Sequence, residues 1–202
     1  MNENIGYSKQ DWQRHYDEDD LKWDLGIVSP PFRLYLESNI IPKGRVIIPG
    51  CGQGHEVVYL AKKGFSVTAI DFTKGATQKL ANNLARNRTK AEIICVNFFK
   101  LGLEHINRYN LMFEQTFFCA IHPTLRNNYV NLVSRILKPG GFLIGLFYET
   151  GEKGGPPFNT TRTDLLRHFF GPFQIKLLEK TNQSAGRRKG KESVYKEYFP
   201  HG

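Results

Sequence analysis

Long apolar runs and paired cysteines are both missing from this chain of 202 residues. No apolar run approaches the roughly 20 residues that a membrane-spanning helix needs, so we expect no contact with a membrane. Residues 1–12 show no basic segment followed by an apolar one, and a secretory signal peptide is therefore not expected. The three cysteines, Cys51, Cys95 and Cys119, have no spacing suited to zinc, and we expect reduced, buried thiols. These absences predict a cytoplasmic protein.

Acidic residues are also scarce relative to basic ones. The 28 Lys and Arg residues outnumber the 19 Asp and Glu residues, which gives a formal net charge of +9. The basic residues are spread along the chain except for one cluster at residues 187–191 (Arg-Arg-Lys-Gly-Lys). We expect a solvated turn there, although a surface that contacts nucleic acid is the alternative.

Apolar strand patterns alternate with helical patterns through most of the chain. This alternation predicts a doubly wound α/β fold with a parallel, Rossmann-like sheet. A capping box at Ser8 and Asp11 and the sequence Ser29-Pro30-Pro31 predict two helix starts before the first strand. The expected strands are 45–49, 66–70, 91–96, 111–118, 141–148, 173–179 and 192–199, and the expected later helices are 55–63, 74–87, 123–137 and 161–170.

The late segments and the domain limits follow from the same patterns. Residues 138–141 (Lys-Pro-Gly-Gly) should end the helix before the fifth strand. The last two strands should form an edge hairpin whose turn holds the basic cluster. We expect one domain over residues 1–202, with a helical lid segment at 1–40 and the Rossmann-like core at 41–202.

The first βαβ unit carries a glycine-rich turn and ends in a carboxylate. The turn reads Pro49-Gly50-Cys51-Gly52-Gln53-Gly54-His55-Glu56, and the next strand closes with Asp71. Glycines permit a tight turn against which a ligand can lie, and a carboxylate can accept from both ribose hydroxyls. The pattern predicts a nucleoside site at the carboxyl ends of the strands. Its lining should be Gly50, Cys51, Gly52, Asp71 and Phe72.

The spacing after the second glycine distinguishes between cofactors. A dinucleotide fingerprint reads G-x-G-x-x-G and places pyrophosphate at the helix N-terminus. Here the spacing is G-x-G-x-G, and Glu56 lies in the first helical turn, where it would repel that anion. A cofactor with an ammonium group and no phosphate would be tolerated or attracted. S-adenosyl-L-methionine has these properties, whereas a nicotinamide cofactor is disfavoured.

An aromatic group precedes the first strand. Trp12 and Tyr16 are four residues apart and share a face of the predicted first helix. Trp23 follows, in the sequence Trp23-Asp24-Leu25-Gly26. Two hypotheses stay open. The rings either dock the helix onto the sheet, or form a lid that stacks near a sulfonium cation and excludes water.

These motifs together resemble the thiopurine S-methyltransferase family, most of all its branch of thiol and halide methyltransferases. The similarity is collinear over nearly the whole chain. It implies a class I methyltransferase fold with seven strands, an antiparallel last strand, bound S-adenosylmethionine and no metal. Besides the aromatic group, the glycine turn and Asp71, the matching stretches are Phe117-Phe118-Cys119-Ala120-Ile121, Leu137-Lys138-Pro139-Gly140-Gly141, Gly154-Gly155-Pro156-Pro157-Phe158 and Arg188-Lys189-Gly190-Lys191-Glu192.

The resemblance carries cofactor contacts onto Trp12, Trp23, Gly50 and Asp71. Three further positions depart from the family pattern. Asn97-Phe98 replaces the usual acidic-apolar pair at the adenine, where the Asn oxygen can still accept from the amino group. Tyr16 replaces a third Trp of the plant enzymes, and Gln115 replaces a Tyr that is frequent in this branch.

The chemistry that the resemblance implies needs few side chains. Methyl transfer from a sulfonium to a thiolate or halide depends mainly on positioning and desolvation. Candidates that hold or deprotonate the acceptor are Tyr148, His122 and Asp24; His122 replaces an acidic residue that often follows Ala-Ile in the family. Each has a structural alternative: Tyr148 as a core cap, His122 as a helix start and Asp24 as a turn cap.

We therefore expect a monomeric S-adenosylmethionine-dependent methyltransferase that acts on a small thiol, halide or thiocyanate. A nucleic-acid methyltransferase that uses the basic surface is the alternative. Amino-methylating enzymes of that kind usually carry Asn or Asp, two prolines and an aromatic residue after the fourth strand, whereas residues 118–121 read Phe-Cys-Ala-Ile. A domain that binds the cofactor without catalysis is disfavoured, since the glycine turn and the aromatic lid are both present.

Overall fold

The computed structural model describes residues 7–198, without the side chains of residues 187, 197 and 198. Helices and strands alternate along this range, with four short 3-10 helices at Phe98–Lys100, Leu103–His105, Pro123–Leu125 and Gly186–Arg188. The strands are β1 Arg45–Pro49, β2 Ser66–Asp71, β3 Glu92–Cys95, β4 Tyr109–Gln115, β5 Leu137–Tyr148, β6 Gln174–Lys180 and β7 Glu192–Tyr198. The helices are α1 Lys9–Asp17, α2 Pro30–Ser38, α3 His55–Lys62, α4 Lys74–Arg86, α5 Arg126–Ile136 and α6 Arg162–Phe169.

One seven-stranded sheet has the order β3-β2-β1-β4-β5-β7-β6. Strands β1 to β5 pair in parallel, and β7 runs antiparallel between β5 and β6. The predicted α/β sheet with an antiparallel last strand is therefore confirmed. The chain order reverses between β1 and β4, and the carboxyl ends of these strands open a crevice of the kind that binds ligands in such sheets.

Both faces of the sheet are buried, which explains why β1 is a continuous apolar run. Val46 and Ile47 are fully buried but belong to two different hydrophobic clusters, because successive side chains of a strand point to opposite faces. Helices α2, α3 and α4 cover one face, with Phe32, Val57, Leu60 and Leu80 at its centre. Helices α5 and α6 cover the other face, with Tyr129, Val133, Leu165 and Phe169.

Helix α1 packs against the start of α4. The predicted capping box at its N-terminus is present, and the backbone N–H of Gly75 donates to Oε1 of Gln13 at 3.1 Å. A Cβ at Gly75 would lie 2.4 Å from Cβ of Tyr16. This glycine therefore permits the close approach of α1.

Two predicted boundaries are wrong near the end of β4 and the start of β5. Strand β4 ends at Gln115, before Phe117 and Phe118, because Thr116 takes a left-handed φ of 59°. Helix α5 ends at Ile136 and β5 starts directly, so residues 138–141 lie inside the strand. A register shift opposite Tyr109 and Leu111 accommodates the Pro-Gly-Gly sequence.

The prediction of three buried cysteines is also wrong in part. All three thiols are free, but Cys95 is exposed at the end of β3, Cys51 is half-buried and only Cys119 is fully buried. Within residues 7–198, no helix has the length and apolar character to cross a membrane. In the same range, no three His, Cys, Asp or Glu side chains are placed to hold a metal ion.

Candidate active site

The glycine turn after β1 is built from left-handed backbone. Gly50 has a φ of 56° and Gly52 a φ of 53°, values that favour glycine. A Cβ at Gly50 would lie 2.4 Å from Cδ2 of Phe117, so this side chain packs directly on the turn. The backbone N–H of Cys51 donates to the carbonyl of Ile70 at 3.0 Å and fixes the turn beside the end of β2.

Asp71 ties β2 to this turn. Its Oδ1 accepts from the backbone N–H and the hydroxyl of Thr73 at 3.0 and 2.8 Å, and its Oδ2 accepts from the N–H of Gly52 at 3.3 Å. Burial raises the pKa of Asp71 above its ordinary value, against the effect of these donors. The long contact on Oδ2 leaves that oxygen the better placed to accept from a ribose hydroxyl.

The aromatic rings of the lid segment contact one another above the turn. Trp23 lies 5.1 Å from Trp12 and 5.9 Å from Tyr16 between ring centroids, in edge-to-face arrangements. Tyr16 is 8% exposed, and a Cβ on Gly52 would come within 3.3 Å of its hydroxyl oxygen. Burial, assisted by the Asp71 charge, raises the pKa of Tyr16 well above its ordinary value. The same ring docks α1 and covers the glycine turn.

Asp24 fastens the lid segment to the start of α3. Its carboxylate accepts from Nε2 of Gln53 at 3.1 Å and lies 3.0 Å from Nε2 of His55. It also accepts from the N–H of Gly26, which is the turn-cap role. Burial opposes ionisation of Asp24, but the contacts with His55 and Gly26 outweigh it and lower its pKa. The hydrogen bond to Asp24 raises the pKa of His55.

A polar network lies at the end of β4. Oriented by its neighbours, the Gln115 amide donates to Oε1 of Glu56 at 2.8 Å and accepts from Nη1 of Arg188 at 3.1 Å. The same Glu56 oxygen accepts from the backbone N–H of Ser29 at 2.9 Å, and burial raises the pKa of Glu56. Gln115, a predicted cofactor contact, therefore links the glycine-turn helix to the connection between β6 and β7.

The prediction that the basic cluster is a solvated turn is wrong at Arg188. The cluster does lie between β6 and β7, and Lys189 is exposed. Arg188, however, is 4% exposed, donates to the carbonyl of Trp23 and lies 3.3 Å from Oε1 of Glu192. The side chain of Arg187 is outside the described part of the chain. No local pattern distinguished Arg188 from the basic residues beside it, since its partners are distant in sequence.

The two predicted catalytic residues lie on different elements. Tyr148 ends β5, half-buried, and is paired across the sheet with Glu192. His122 caps the 3-10 helix before α5, where its Nδ1 accepts from the N–H of Thr124 at 3.3 Å. Its ring packs edge-on against Phe158, 5.2 Å away. The helix-start role of His122 is therefore present, and contact of Tyr148 or His122 with an acceptor stays a prediction.

The glycine-proline loop ending at Phe158 is fastened beside the turn after β4. Its Phe158 N–H donates to the carbonyl of Cys119 at 2.6 Å. Nη2 of Arg126 donates to the carbonyl of Asn159 at 3.0 Å and to the hydroxyl of Thr160 at 3.1 Å. These contacts hold the end of the loop against the turn after β4 and the start of α5.

The predicted adenine contacts, Asn97 and Phe98, follow β3. Oδ1 of Asn97 accepts from the N–H of Phe99 at 3.0 Å and caps a 3-10 helix, which leaves its second lone pair for a ligand. The Phe98 ring is 2% exposed and packs 5.5 Å from the Phe117 ring. Phe98 is thus a core residue, and its contact with adenine stays a prediction.

S-adenosylmethionine fits the groups that surround the glycine turn. A Cβ on Gly50 would collide with Phe117, and one on Gly52 would crowd Tyr16, so both glycines permit these rings to pack closely on the turn. Asp71 would supply a carboxylate for the ribose. Glu56, half-buried in the first turn of α3, places a carboxylate where a pyrophosphate would be repelled.

Comparison with known proteins agrees with this assignment. The family model described as thiopurine S-methyltransferase matches residues 7–199. The probable thiol methyltransferase 2 of Arabidopsis thaliana is 29% identical over 198 residues, which cover 96% of this chain and 85% of the relative. Thiocyanate methyltransferase 1 of Arabidopsis thaliana is 31% identical over 192 residues, which cover 91% of this chain and 82% of the relative.

A solved structure shares the fold at much lower identity. It is the 1,6-didemethyltoxoflavin-N1-methyltransferase of Burkholderia thailandensis, solved with 1,6-didemethyltoxoflavin and S-adenosylhomocysteine bound. The TM-score is 0.75 at 16% identity, with 95% of this chain and 87% of that chain covered. The overall likeness supports the methyltransferase architecture of the sheet.

Proposed function

Since the chain belongs to the thiopurine S-methyltransferase family and is an S-adenosyl-L-methionine-dependent methyltransferase, we propose that its acceptor is a small, soft nucleophile. A thiol is the first candidate, and a halide or thiocyanate is the second. Relatives named as thiol and thiocyanate methyltransferases support this class of acceptor. The cofactor supplies a methyl group on a sulfonium, which is an excellent leaving group.

The docked lid is the observation that carries this proposal. Tyr16 is buried against the glycine turn, and Trp23 is held by its ring contacts and by Arg188 at its carbonyl. On the other side, Phe158 is fastened to Cys119. A site enclosed by these elements admits a small molecule more readily than a folded macromolecule, and it excludes water from the transfer.

The residues around the glycine turn would position the cofactor. Asp71 would hold the ribose, and Asn97 would accept from the adenine amino group. Trp12, Tyr16 and Trp23 would cover it, with ring faces available to a cation. Gly50, Cys51, Gly52, Phe72, Phe98 and Gln115 complete the proposed set of cofactor contacts.

On the acceptor side, Tyr148 and His122 would orient the nucleophile. A small thiol with a pKa near 8 already carries a few per cent thiolate at neutral pH, and a halide has no proton to remove. A strong general base is therefore not required, and desolvation of the acceptor by the surrounding rings would supply much of the acceleration.

The nucleic-acid alternative gains no support. Arg188, the second residue of the basic cluster, is buried and paired with Glu192. Its charge is therefore not presented to a phosphate backbone, which binds proteins through exposed Lys and Arg. The names of the two relatives refer to thiols and thiocyanate as acceptors, and neither name refers to nucleic acid.

We further propose that residues 1–202 act as one domain, in the cytoplasm and as a monomer. The free thiol of Cys95 is exposed, which suits a reducing compartment. Size-exclusion chromatography with light scattering tests the oligomeric state, and a mass of a dimer would contradict this part of the proposal.

A methyl-transfer panel tests the function. The protein is incubated with S-adenosylmethionine and, separately, with hydrosulfide, small thiols, thiocyanate, iodide and a generic RNA. We expect methylated product from at least one small acceptor and none from RNA. Tyr148→Phe should lower turnover and leave binding of S-adenosylhomocysteine unchanged. Methylation of RNA together with no small-acceptor product would overturn the proposal.

A further inference from the structure

Arg188 joins three segments of the chain that are far apart in sequence. Its guanidinium donates to the backbone carbonyl of Trp23 in the lid segment, contacts Glu192 at the start of β7, and donates to the Gln115 amide at the end of β4. It is 4% exposed and Glu192 is 1% exposed. A planar guanidinium can serve three such directions at once, which a lysine ammonium on a flexible stem cannot do in the same geometry.

The network also reaches Ser29, further along the lid segment. The Gln115 amide accepts from Arg188 and donates to Glu56, and Glu56 also accepts from the backbone N–H of Ser29. The stretch from Trp23 to Ser29 is therefore held at both ends by one connected set of polar groups. Between these ends, Asp24 is held by His55 and Gln53, which belong to the glycine turn and its helix.

Burial of the charged groups in this network costs free energy, and a contribution to stability alone does not explain it. A buried ion pair is weak evidence for stability, because desolvation of the two charges offsets most of their attraction. In the described residues, the second carboxylate oxygen of Glu192 has no hydrogen-bond partner, and neither does the buried hydroxyl of Ser29. The desolvation of the Arg188–Glu192 pair is thus incompletely offset by hydrogen bonds. The pair lies where residues 23–29 meet the end of β4.

We propose that Arg188 is a positioning residue for methyl transfer, which sets the closed position of residues 23–29 against the end of β4. The inference rests on the proposed function in one respect, that the closed lid bounds the acceptor site. By holding the Trp23 carbonyl, Arg188 fixes the ring that contacts Trp12 and Tyr16 over the cofactor turn. Displacement of that ring by about 1 Å is enough to lower a rate by about 100-fold when transfer depends on alignment.

Three variants separate this role from a purely structural one. Arg188→Lys keeps the charge and removes the planar fork. The double variant Arg188→Met with Glu192→Gln removes both charges, so that no unpaired carboxylate is left at Glu192. We expect this double variant to fold even if Arg188→Lys does not. Lys189→Met is the matched control, since Lys189 neighbours Arg188 and is exposed.

The first readout is hydrogen exchange of residues 18–29 with S-adenosylhomocysteine bound. It needs no acceptor, so its result stands even if the acceptor proposed above is wrong. We expect at least about tenfold faster exchange in both Arg188 variants and wild-type exchange in Lys189→Met. Wild-type exchange in the Arg188 variants, with melting temperatures that show a folded protein, would overturn the positioning role.

The second readout is the split between kcat and KM. We expect kcat to fall by roughly 10- to 100-fold in the Arg188 variants, with the acceptor KM changed less than about threefold. A large rise in acceptor KM with lid exchange unchanged would assign Arg188 to acceptor binding instead, and would also overturn the proposal.

Discussion

Glu114 makes a sharp prediction about the pH dependence of stability. It lies on β4 with 1% exposure, one oxygen accepts from the backbone N–H groups of Phe117 and Phe118 at 2.9 Å, and the other accepts from the hydroxyl of Tyr129 at 2.9 Å. These bonds hold the turn in which Thr116 has a left-handed φ. Burial nevertheless outweighs the three donors and raises the pKa of Glu114 to about 7.

The sign of the effect follows from proton binding. Between the ordinary carboxyl pKa of 4.5 and about 7, the folded protein holds a proton at Glu114 that the unfolded chain has released. The free energy of unfolding therefore contains a contribution that is fully present below pH 4.5 and is lost as the pH rises through 7. At about 1.4 kcal/mol for each pKa unit, that contribution is about 3 kcal/mol.

Urea unfolding of the wild type and of Glu114→Gln, at several pH values from 4.5 to 8, measures this contribution. The wild-type free energy of unfolding minus that of the variant should fall by about 3 kcal/mol over this range, while other titrating groups cancel in the difference. Glu179→Gln, at an exposed position on β6, is the control and should give a flat difference. A flat difference for Glu114→Gln as well, or one that rises with pH, would refute the reasoning.

Two further changes test the cofactor site and the lid. We expect S-adenosylmethionine and S-adenosylhomocysteine each to bind at 1:1 stoichiometry. Asp71→Ala should weaken the binding of both by about 1.5–3 kcal/mol, because a charged acceptor is lost. Calorimetry measures this, and unchanged affinity in a folded variant would remove Asp71 from the site. Gly75→Ala should displace α1, since the new Cβ would meet Tyr16, and exchange of residues 8–26 should then lose its protection by cofactor. Gln78→Ala, a change at an exposed position of the same helix, should keep that protection. Equal hydrogen exchange with and without cofactor in the wild type would favour simple docking of the aromatic rings.

Much of the fold followed from local patterns in the sequence. Apolar β-branched runs, capping residues and glycine stops act over a few residues, and the strands and helices formed close to the expected positions. The two misplaced boundaries have different causes, one within the turn after β4 and one in the pairing of β4 with β5. Phe117 and Phe118 have strand propensity, but Glu114 takes their backbone N–H groups and turns the chain. Pro139 joins β5 because the pairing with β4 shifts its register there.

For the candidate site, the sequence by itself determined the glycine turn, Asp71 and the aromatic lid, because each is a short motif whose chemistry follows from its own residues. The tertiary structure alone decided which neighbours these groups have. Trp23 and Arg188 are 165 positions apart, and no periodicity in either segment encodes their contact. Arg188 and Lys189 are adjacent basic residues, yet one is buried and the other is exposed, because burial is set by what the rest of the chain packs around a side chain.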